Sequence, residues 1–544
     1  MGVTPSKDFN EETKVWSGQS KKPMYHDDIA IGQILHMRLV TQPKNVLQIN
    51  DTEGITYTNE EILSFSRKIA LSLQEMGLTQ QDFVGIMASN TSLAMPVCFG
   101  CLFIGTPIHP CDVTFTKEAT VYAWRKTKPK VIFCDGSAYK VCKEVSEELK
   151  LNCDIFTIND HIEGVKKVHD LFIDRGMKEI FFQPLEVPSG DQTAVILCSS
   201  GSTGLSKAVT MSHKNLTRTV GIFMDTDQDV VLTFSSLYWG SGLLGVLNAG
   251  ITGATHLVIS KPFDAESAVE LISKYKVTKT MLPPRNIALI LNASNLKPDS
   301  LKSLKAVNCG GAKLPVEIRQ RFKKFVSPTC ILFFGYGCTE GGMIAANYME
   351  MKLESTGTVA PNMQVKIIDE NGNALGEGED GEICVKSDVK WNGYFGDQEA
   401  TDEVYDVESG WYKTGDLGHF DDEGYLYIVD RIKEIMKSKG YHISPSEIEE
   451  LILELPEVAD ACVVGIPDVL TVNLPAVLII KALDKDISEE AIAKYVADKK
   501  PHYKHLTGGV YFVDSFPRTA SGKILRRKAR EVAEKLFAER NGKQ

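Results

Sequence analysis

Between about Asp51 and Asp191 the chain alternates two hydrophobic rhythms. Glu60–Met76 repeats apolar residues at helical spacing, whereas Phe83–Ala88 and Val131–Cys134 are short apolar runs rich in strand formers. Such alternation predicts parallel sheet covered by helices. It continues through Val230–Phe234, Thr255–Ile259, Ala306–Cys309 and Cys330–Phe334. After Gly357 the texture changes. Val365–Ile368, Glu382–Lys386 and Tyr425–Val429 are short strands separated by Asn371-Gly372, Gly378 to Gly381 and Asp422-Glu423-Gly424, a spacing that predicts antiparallel hairpins. From Arg431 a last unit begins. Pro445–Leu455 reads as an amphipathic helix with Ile448, Leu451, Ile452 and Leu455 on one face; Ala459–Gly465 and Ala476–Ile480 read as strands, and Ser488–Lys499 as a helix. The pattern predicts an α/β chain: a large N-terminal domain of parallel sheets with helices over 1–430, including a β subdomain at about 355–430, and a small α+β domain over 431–544.

The length of 544 residues exceeds what one core fills, in keeping with two or more domains. With 43% hydrophobic and 24% charged residues the composition is that of a soluble globular protein. A formal charge of −11 argues against a broad nucleic-acid or anionic-membrane surface. The basic cluster Arg526, Arg527, Lys528 and Arg530 is followed by Glu531 and Glu534 and reads as a solvated helix. The 12 cysteines are scattered, as free thiols of a reducing compartment would be. Cys98 and Cys101 lie inside the most hydrophobic run, Ala94 to Ile108, and read as buried helix packing rather than a metal or redox pair. That run is too short to span a membrane and carries Pro96, Gly100 and Gly105. Met1 to Gln19 is polar, and Asn541-Gly542-Lys543-Gln544 is not a Ser-Lys-Leu-type peroxisomal address. A cytoplasmic location and no transmembrane segment are expected; oligomeric state is not legible.

Residues 198–207, Cys-Ser-Ser-Gly-Ser-Thr-Gly-Leu-Ser-Lys, carry the densest chemical signal. They follow the strand-forming Thr193–Leu197. A glycine- and hydroxyl-rich turn after a strand offers backbone N–H groups and Ser/Thr donors around one point, and Lys207 adds a mobile cation; these suit a polyphosphate. A flexible surface loop has the same composition. The run is not the Walker pattern, which needs Gly-Lys-Ser/Thr opening a helix.

Five segments in order give the run a context: Ser199 to Lys207; Gly335-Tyr-Gly-Cys-Thr-Glu340; Gly410-Trp-Tyr-Lys-Thr-Gly-Asp416; Asp430-Arg-Ile-Lys-Glu-Ile-Met-Lys-Ser-Lys-Gly440; and Pro517-Arg-Thr-Ala-Ser-Gly-Lys523. Together with the turn Cys309-Gly310-Gly311-Ala312, they resemble the adenylate-forming superfamily of acyl-CoA synthetases, adenylation domains and beetle luciferases. The texture is similar above all to insect luciferase-like fatty acyl-CoA synthetases. The resemblance implies ATP, Mg²⁺ and coenzyme A as co-substrates and cofactor, with a small carboxylic acid as the other partner and no nucleic acid. It assigns Ser199, Ser200, Gly201, Ser202, Thr203, Gly204 and Lys207 to the departing phosphates, and Thr339 to the α-phosphate. Glu340 and Thr203 are assigned to the metal. Tyr336 would stack on adenine, with Gly310 and Gly311 letting the backbone approach the base; Ala312, Gly335 and Gly337 belong to the same ATP site, Asp416 to the ribose, and Arg431 to the ribose or phosphate. A carboxylate suits a vicinal diol because both its oxygens accept. Lys523 would be the catalytic cation of adenylation, Lys433 the hinge of a mobile C-terminal domain, and Lys437 a catalytic residue of the thioester step. Lys439, Gly440 and Tyr441 fall on the coenzyme A side.

Two departures from the family bear on the acid. Leu237-Tyr238-Trp239-Gly240-Ser241-Gly242 stands where beetle luciferases carry a His-His-Gly-Phe-Gly stretch, and Gly341-Gly342-Met343-Ile344 follows Glu340. Tyr238, Trp239, Gly240, Gly311 and Gly341 are the expected acyl-pocket residues, and Trp239 as a wall fits an apolar chain; a core position for Trp239 is the other reading. The expected function is an ATP-dependent acid–thiol ligase forming acyl-CoA through an acyl-adenylate, with a medium- or long-chain fatty acid as substrate. An aryl-CoA ligase, a luciferase-like monooxygenase and a non-catalytic nucleotide-binding protein are the alternatives.

Overall fold

The computed structural model describes residues 8–199, 206–220, 225–347, 351–518 and 524–541. The chain forms two compact units: the first of Met1–Phe9, Trp16–Val365 and Val385–Tyr412, the second of Asn10–Val15, Lys366–Cys384 and Lys413–Gln544. Both are mixed α/β, the class that the hydrophobic rhythm predicts. Strands Met363–Ile368, Gly381–Ser387 and Tyr412–Phe420 each cross from one unit into the other along the chain.

The first unit holds two large sheets. One has six strands in the order Lys207–Ser212, Thr193–Ser199, Ile108–Pro110, Val84–Met87, Val131–Asp135, Asp154–Asn159. All but the first edge strand run parallel. The other has nine strands, with six parallel ones at its centre, Val46–Asn50, Thr255–Val258, Val230–Thr233, Lys279–Met281, Ala306–Gly310 and Ile331–Cys338. Ile331–Cys338 runs four residues past the predicted Phe334. Gly335 and Gly337 are poor strand formers, but Gly335 to Cys338 pair antiparallel with Gly342–Asn347, and that hairpin overrides propensity.

The hydrophobic run at Ala94 becomes the fully buried helix Ala94–Phe103, which places Cys98 and Cys101 in the core. It packs with helices Ile31–Thr41 and Asn59–Glu75. The approach is close enough to require glycine: a Cβ at Gly32 would lie 2.1 Å from the Leu102 carbonyl oxygen, and one at Gly100 2.8 Å from Ile69. Asn59–Glu75 starts on a capping box in which Thr58 accepts from the Glu61 N–H and Glu61 accepts from the Thr58 N–H.

In the second unit, Val458–Asp468 pairs antiparallel with Val472–Lys481, which pairs parallel with Gly509–Phe512. Helices Pro445–Ile452, Glu489–Lys499 and Arg526–Asn541 surround this sheet. Among the described residues no helix is long and apolar enough to cross a membrane.

Candidate active site

Ser199 ends one strand and Lys207 opens the next, and the two are paired across the antiparallel ladder, with Cys198 opposite Ala208. The ladder therefore brings together the two ends of the Ser/Gly-rich turn. Ser200, Gly201, Ser202, Thr203 and Gly204, predicted to hold phosphate and metal, lie outside the described residues. Lys207 opens a strand, whereas a Walker loop opens a helix.

The Lys207 ammonium stands 4.6 Å from the centre of the Tyr394 ring, within cation–π range. The Tyr394 hydroxyl donates to Glu340 Oε1 at 2.9 Å. One tyrosine thus joins the lysine of the first motif to the glutamate of the second. Tyr394 is itself held firmly. Val209 bridges it antiparallel, Phe395 N–H donates to the Ala208 carbonyl at 2.8 Å, and Tyr394 N–H donates to Thr401 Oγ1 at 2.9 Å. Its ring meets Trp391 edge-on at 4.9 Å, and Trp391 also meets Tyr405 and Tyr412. Burial and then the Glu340 charge push the Tyr394 hydroxyl far above its ordinary range, so it remains a donor at every physiological pH.

Beside Lys207, a small cavity of about 20 Å³ is lined by Tyr122, Arg125, Lys126, Cys198, Ser206 and Asp397 among others. Lys126 pairs with Asp397 at 2.8 Å, and that hydrogen bond holds the Asp397 carboxyl below its usual range. Arg125, Lys126 and Lys207 against one aspartate leave the cavity net positive, as an anion site requires.

Thr339 and Glu340 form the tip between strands Ile331–Cys338 and Gly342–Asn347, with Cys338 paired to Gly342. A Cβ at Gly337 would lie 2.3 Å from the Gly342 carbonyl, so this tip closes only with glycine there. Tyr336 is half-buried on the same strand, at a ladder irregularity between Tyr336 and Gly337. Gly310 pairs with Gly335 on the neighbouring strand. The Gly310-Gly311-Ala312 turn is therefore next to the Gly335-Tyr336-Gly337 strand. Gly311 has φ +86° and open space where a Cβ would be.

Trp239 caps helix Gly240–Thr252, and Tyr238 is buried in a cluster that includes Cys198. Tyr238 meets Trp239 edge-on at 4.5 Å and Phe115 at 5.2 Å. A Cβ built at Gly240 would lie 3.9 Å from Leu197 Cδ1. The aromatic segment thus abuts the strand that launches the Ser/Gly-rich turn. Gly311 and Gly341 stand on other elements, at the end of strand Ala306–Gly310 and at the hairpin tip.

In the second unit Asp416 is 7% exposed and lies opposite Arg431 across an antiparallel pair, with Arg431 Nε 3.2 Å from Asp416 Oδ1. Gly415 takes φ +73° just before it, and its N–H donates to Glu382 Oε1 at 3.2 Å. Lys433 is exposed in the turn after Arg431. Arg526 clamps that turn through Glu434 at 3.0 Å while also pairing with Glu449. Lys437 and His442 face each other in the ribbon Met436–Ser438/Tyr441–Ile443, whose turn uses positive φ at Lys439 (+51°) and Gly440 (+83°). Tyr441 stacks on Tyr503 at 4.1 Å. Lys523 lies outside the described residues; Arg518 and Ile524, which flank its segment, pair as an antiparallel bridge.

Among the described residues no group of three or more His, Cys, Asp or Glu is arranged to hold a metal. Glu340 offers one carboxylate beside a cationic anion site. This fits Mg²⁺, which commonly takes one or two protein carboxylates and completes its shell with phosphate oxygens and water. Tyr394 was not singled out from the sequence. The available signal was a run of aromatics, Trp391, Tyr394 and Phe395, inside an otherwise polar segment.

A family model described as AMP-binding enzyme matches residues 37–395, and one described as AMP-binding enzyme C-terminal domain matches 447–523. A luciferin 4-monooxygenase from Nipponoluciola cruciata is 31% identical over 507 residues, 90% of this chain and 91% of its own. The 4-coumarate–CoA ligase 3 of Oryza sativa subsp. japonica is 30% identical over 498 residues, 89% of this chain and 88% of its own. Among solved structures, ATP-bound MatB from Rhodopseudomonas palustris superposes with a TM-score of 0.83 at 22% identity, covering 93% of this chain and 99% of that one.

Proposed function

Because the chain belongs to the AMP-binding enzyme family of adenylate-forming enzymes, we propose that it is an acyl-CoA synthetase. It joins a carboxylic acid to coenzyme A through an acyl-adenylate, releasing pyrophosphate and then AMP. The observation that carries this reading is the Lys207–Tyr394–Glu340 linkage, which joins a phosphate-type cation and a metal-type carboxylate through one rigid ring.

The substrate carboxylate is ionised at neutral pH and needs no general base. The task is to bring two anions together and to offset charge as it develops. In this reading Lys207 and the segment 199–204 hold the departing phosphates, and Thr339 contacts the α-phosphate. Glu340, fixed by Tyr394, and Thr203 would hold Mg²⁺, whose contribution is to neutralise phosphate charge. Tyr336 stacks on the base with Gly310 and Gly311 close to it, Ala312, Gly335 and Gly337 complete the ATP site, and Asp416 accepts from the ribose with Arg431 as a cation near ribose or phosphate. Lys523 binds carboxylate and phosphate oxygens during adenylation. The C-terminal domain, 431–544, then turns about Lys433 and presents Lys437, Lys439, Gly440 and Tyr441 to the thiol step.

Tyr238, Trp239, Gly240, Gly311 and Gly341 shape the acid site, and a medium- or long-chain fatty acid fits the aromatic, uncharged 238–240 segment. An aryl acid is the second reading, favoured by likeness to the rice coumarate ligase. CoA-dependent AMP release across acids from acetate to palmitate, with coumarate and luciferin included, tests the assignment. A maximum at one aliphatic length supports the fatty acyl reading, and a maximum at coumarate replaces it with the aryl one. Light with luciferin and ATP would make the protein a monooxygenase. Absence of ATP–pyrophosphate exchange with every acid would leave a non-catalytic nucleotide-binding protein.

A further inference from the structure

Four sulfurs stand in a row across the six-stranded sheet of the first unit, and a fifth covers them from a helix. Cys134 is opposite Met87 in the parallel ladder. Ile86 is opposite Pro110, so one further step along both strands sets Met87 beside Cys111. Ile108 is opposite Val195, and three residues beyond that pair the Cys111 thiol donates a hydrogen bond to Cys198 Sγ. Cys142, on the covering helix, donates to Met87 Sδ at 3.6 Å. All five belong to one buried cluster with Trp124 and Tyr238. Neighbouring strands lie ~4.8 Å apart. Adjacent in-register cysteines therefore fall inside the ~4.4–6.8 Å Cα separation that a disulfide spans.

The Cys198 end of the row differs from the rest. His109 Nε2 is 3.4 Å from Cys198 Sγ, and His109 Nδ1 is 3.0 Å from Thr127 Oγ1, so the imidazole is oriented toward the thiol. Cys198 also lines the cavity of about 20 Å³ that Arg125, Lys126 and Lys207 make net positive, room for about one water-sized molecule. Cys134 and Cys142, at the other end, are wholly buried.

We propose that Cys198 is a peroxide-reacting thiol and that Cys111 is its resolving partner. The Cys198 proton passes to His109 Nε2, and the thiolate attacks one peroxide oxygen. The S–O bond forms, the O–O bond breaks, and the leaving hydroxide takes the proton from His109 as water. Cys198 is then a sulfenic acid, oxidised by two electrons while the peroxide is reduced by two. Cys111 sulfur attacks Cys198 Sγ, the S–S bond forms, the S–O bond breaks, and hydroxide leaves with the Cys111 proton as a second water. The disulfide anchors the residue immediately before Ser199. The electrostatics agree with this division of roles. A hydrogen bond from Cys111, then the His109 charge and hydrogen bonds from His109 and Ser206, outweigh burial and pull the Cys198 thiol well down. Burial keeps the Cys111 thiol well up.

The test is hydrogen peroxide treatment of the full-length protein without reductant, followed by alkylation, non-reducing digestion and mass spectrometry. The expected result is a Cys111–Cys198 linked peptide, loss of alkylatable thiol at both positions, and recovery with dithiothreitol. Cys111→Ser should abolish the link and leave Cys198 labelled by dimedone, while Cys142→Ser keeps the link. The wild-type peptide map decides the matter even where a variant folds poorly. Cys153 and Cys338 are less buried than Cys198. Oxidation landing on them while Cys198 still alkylates fully would overturn the proposal, as would a link between Cys134 and Cys142 in place of Cys111 and Cys198.

Discussion

Replacing Tyr394 by phenylalanine removes one hydroxyl and leaves the ring beneath Lys207. The hydroxyl donates to Glu340 Oε1 at 2.9 Å. A hydrogen bond to a charged group contributes ~1.5–3 kcal/mol. Glu340 is half-buried, so water replaces part of the lost contact and the loss falls around and somewhat below the bottom of that range. If Glu340 holds the metal that offsets phosphate charge, about 1–2 kcal/mol is lost from the adenylation transition state, roughly 5- to 30-fold in rate. The ring contact with Lys207 at 4.6 Å and the packing on Trp391 at 4.9 Å persist in the variant, so thermal stability should move little.

The assay is acid-dependent ATP–pyrophosphate exchange, titrated with Mg²⁺. Tyr394→Phe should lower the exchange rate and raise the Mg²⁺ concentration needed for half-activity. Tyr394→Ala should instead lose stability, by about 3–5 kcal/mol for a buried aromatic, since Tyr394 is 7% exposed. A Tyr394→Phe enzyme with unchanged exchange and unchanged Mg²⁺ dependence would refute the positioning argument. It would reduce Tyr394 to a packing residue.

Three further outcomes follow from the same geometry. Lys207→Ala should cut pyrophosphate exchange ~10²–10³-fold, the size of losing one preorganised charge donor, with a melting temperature near wild type; a large drop in melting temperature would recast Lys207 as structural. Asp416→Asn should raise the ATP KM ~10- to 100-fold through lost charged hydrogen bonding, visible by calorimetry with AMP, and unchanged AMP affinity would remove Asp416 from the ribose. His36, His213 and His256 are buried, with pKa values pulled down to about 4 by burial, His36 also by Arg67. The unfolded chain takes up these protons near pH 6.5 and the folded chain only near 4, so stability falls as pH drops between those values, by up to about 3 kcal/mol per histidine. Urea midpoints measured at pH 7 and pH 5 check this, and a His256→Leu variant with an undiminished pH slope would contradict it.

The parts of the fold legible in the sequence were those governed by local hydrophobic rhythm. Ala94–Phe103 is a helix because an unbroken apolar run of that length must be buried, and Val131–Asp135 is a strand buried on both faces. What was not legible depended on pairing. Gly335 to Cys338 extend a strand against propensity because Gly342–Asn347 supplies the hydrogen bonds, and no local pattern announces that partner. The candidate site divides the same way. Lys207 and Glu340 could be named from motifs, whereas Tyr394 is defined by two residues that both lie more than 50 positions earlier in the chain, Lys207 and Glu340.

This division has a physical reason. A phosphate site needs donors that are sequence-local, since consecutive backbone N–H groups and their glycines must converge on one point. That constraint leaves a motif. Holding a carboxylate and a lysine at fixed separation needs a rigid body between them, and rigidity comes from packing: here Trp391 wedged among Tyr394, Tyr405 and Tyr412. Packing can be met by many aromatic arrangements, so it leaves composition rather than a motif. The sulfur row is the extreme case. Cys134, Met87, Cys111 and Cys198 come from four strands, and only the parallel register aligns them. Read one at a time, the three cysteines of the row are scattered free thiols; in register, Cys111 stands beside Cys198, which the His109 imidazole contacts.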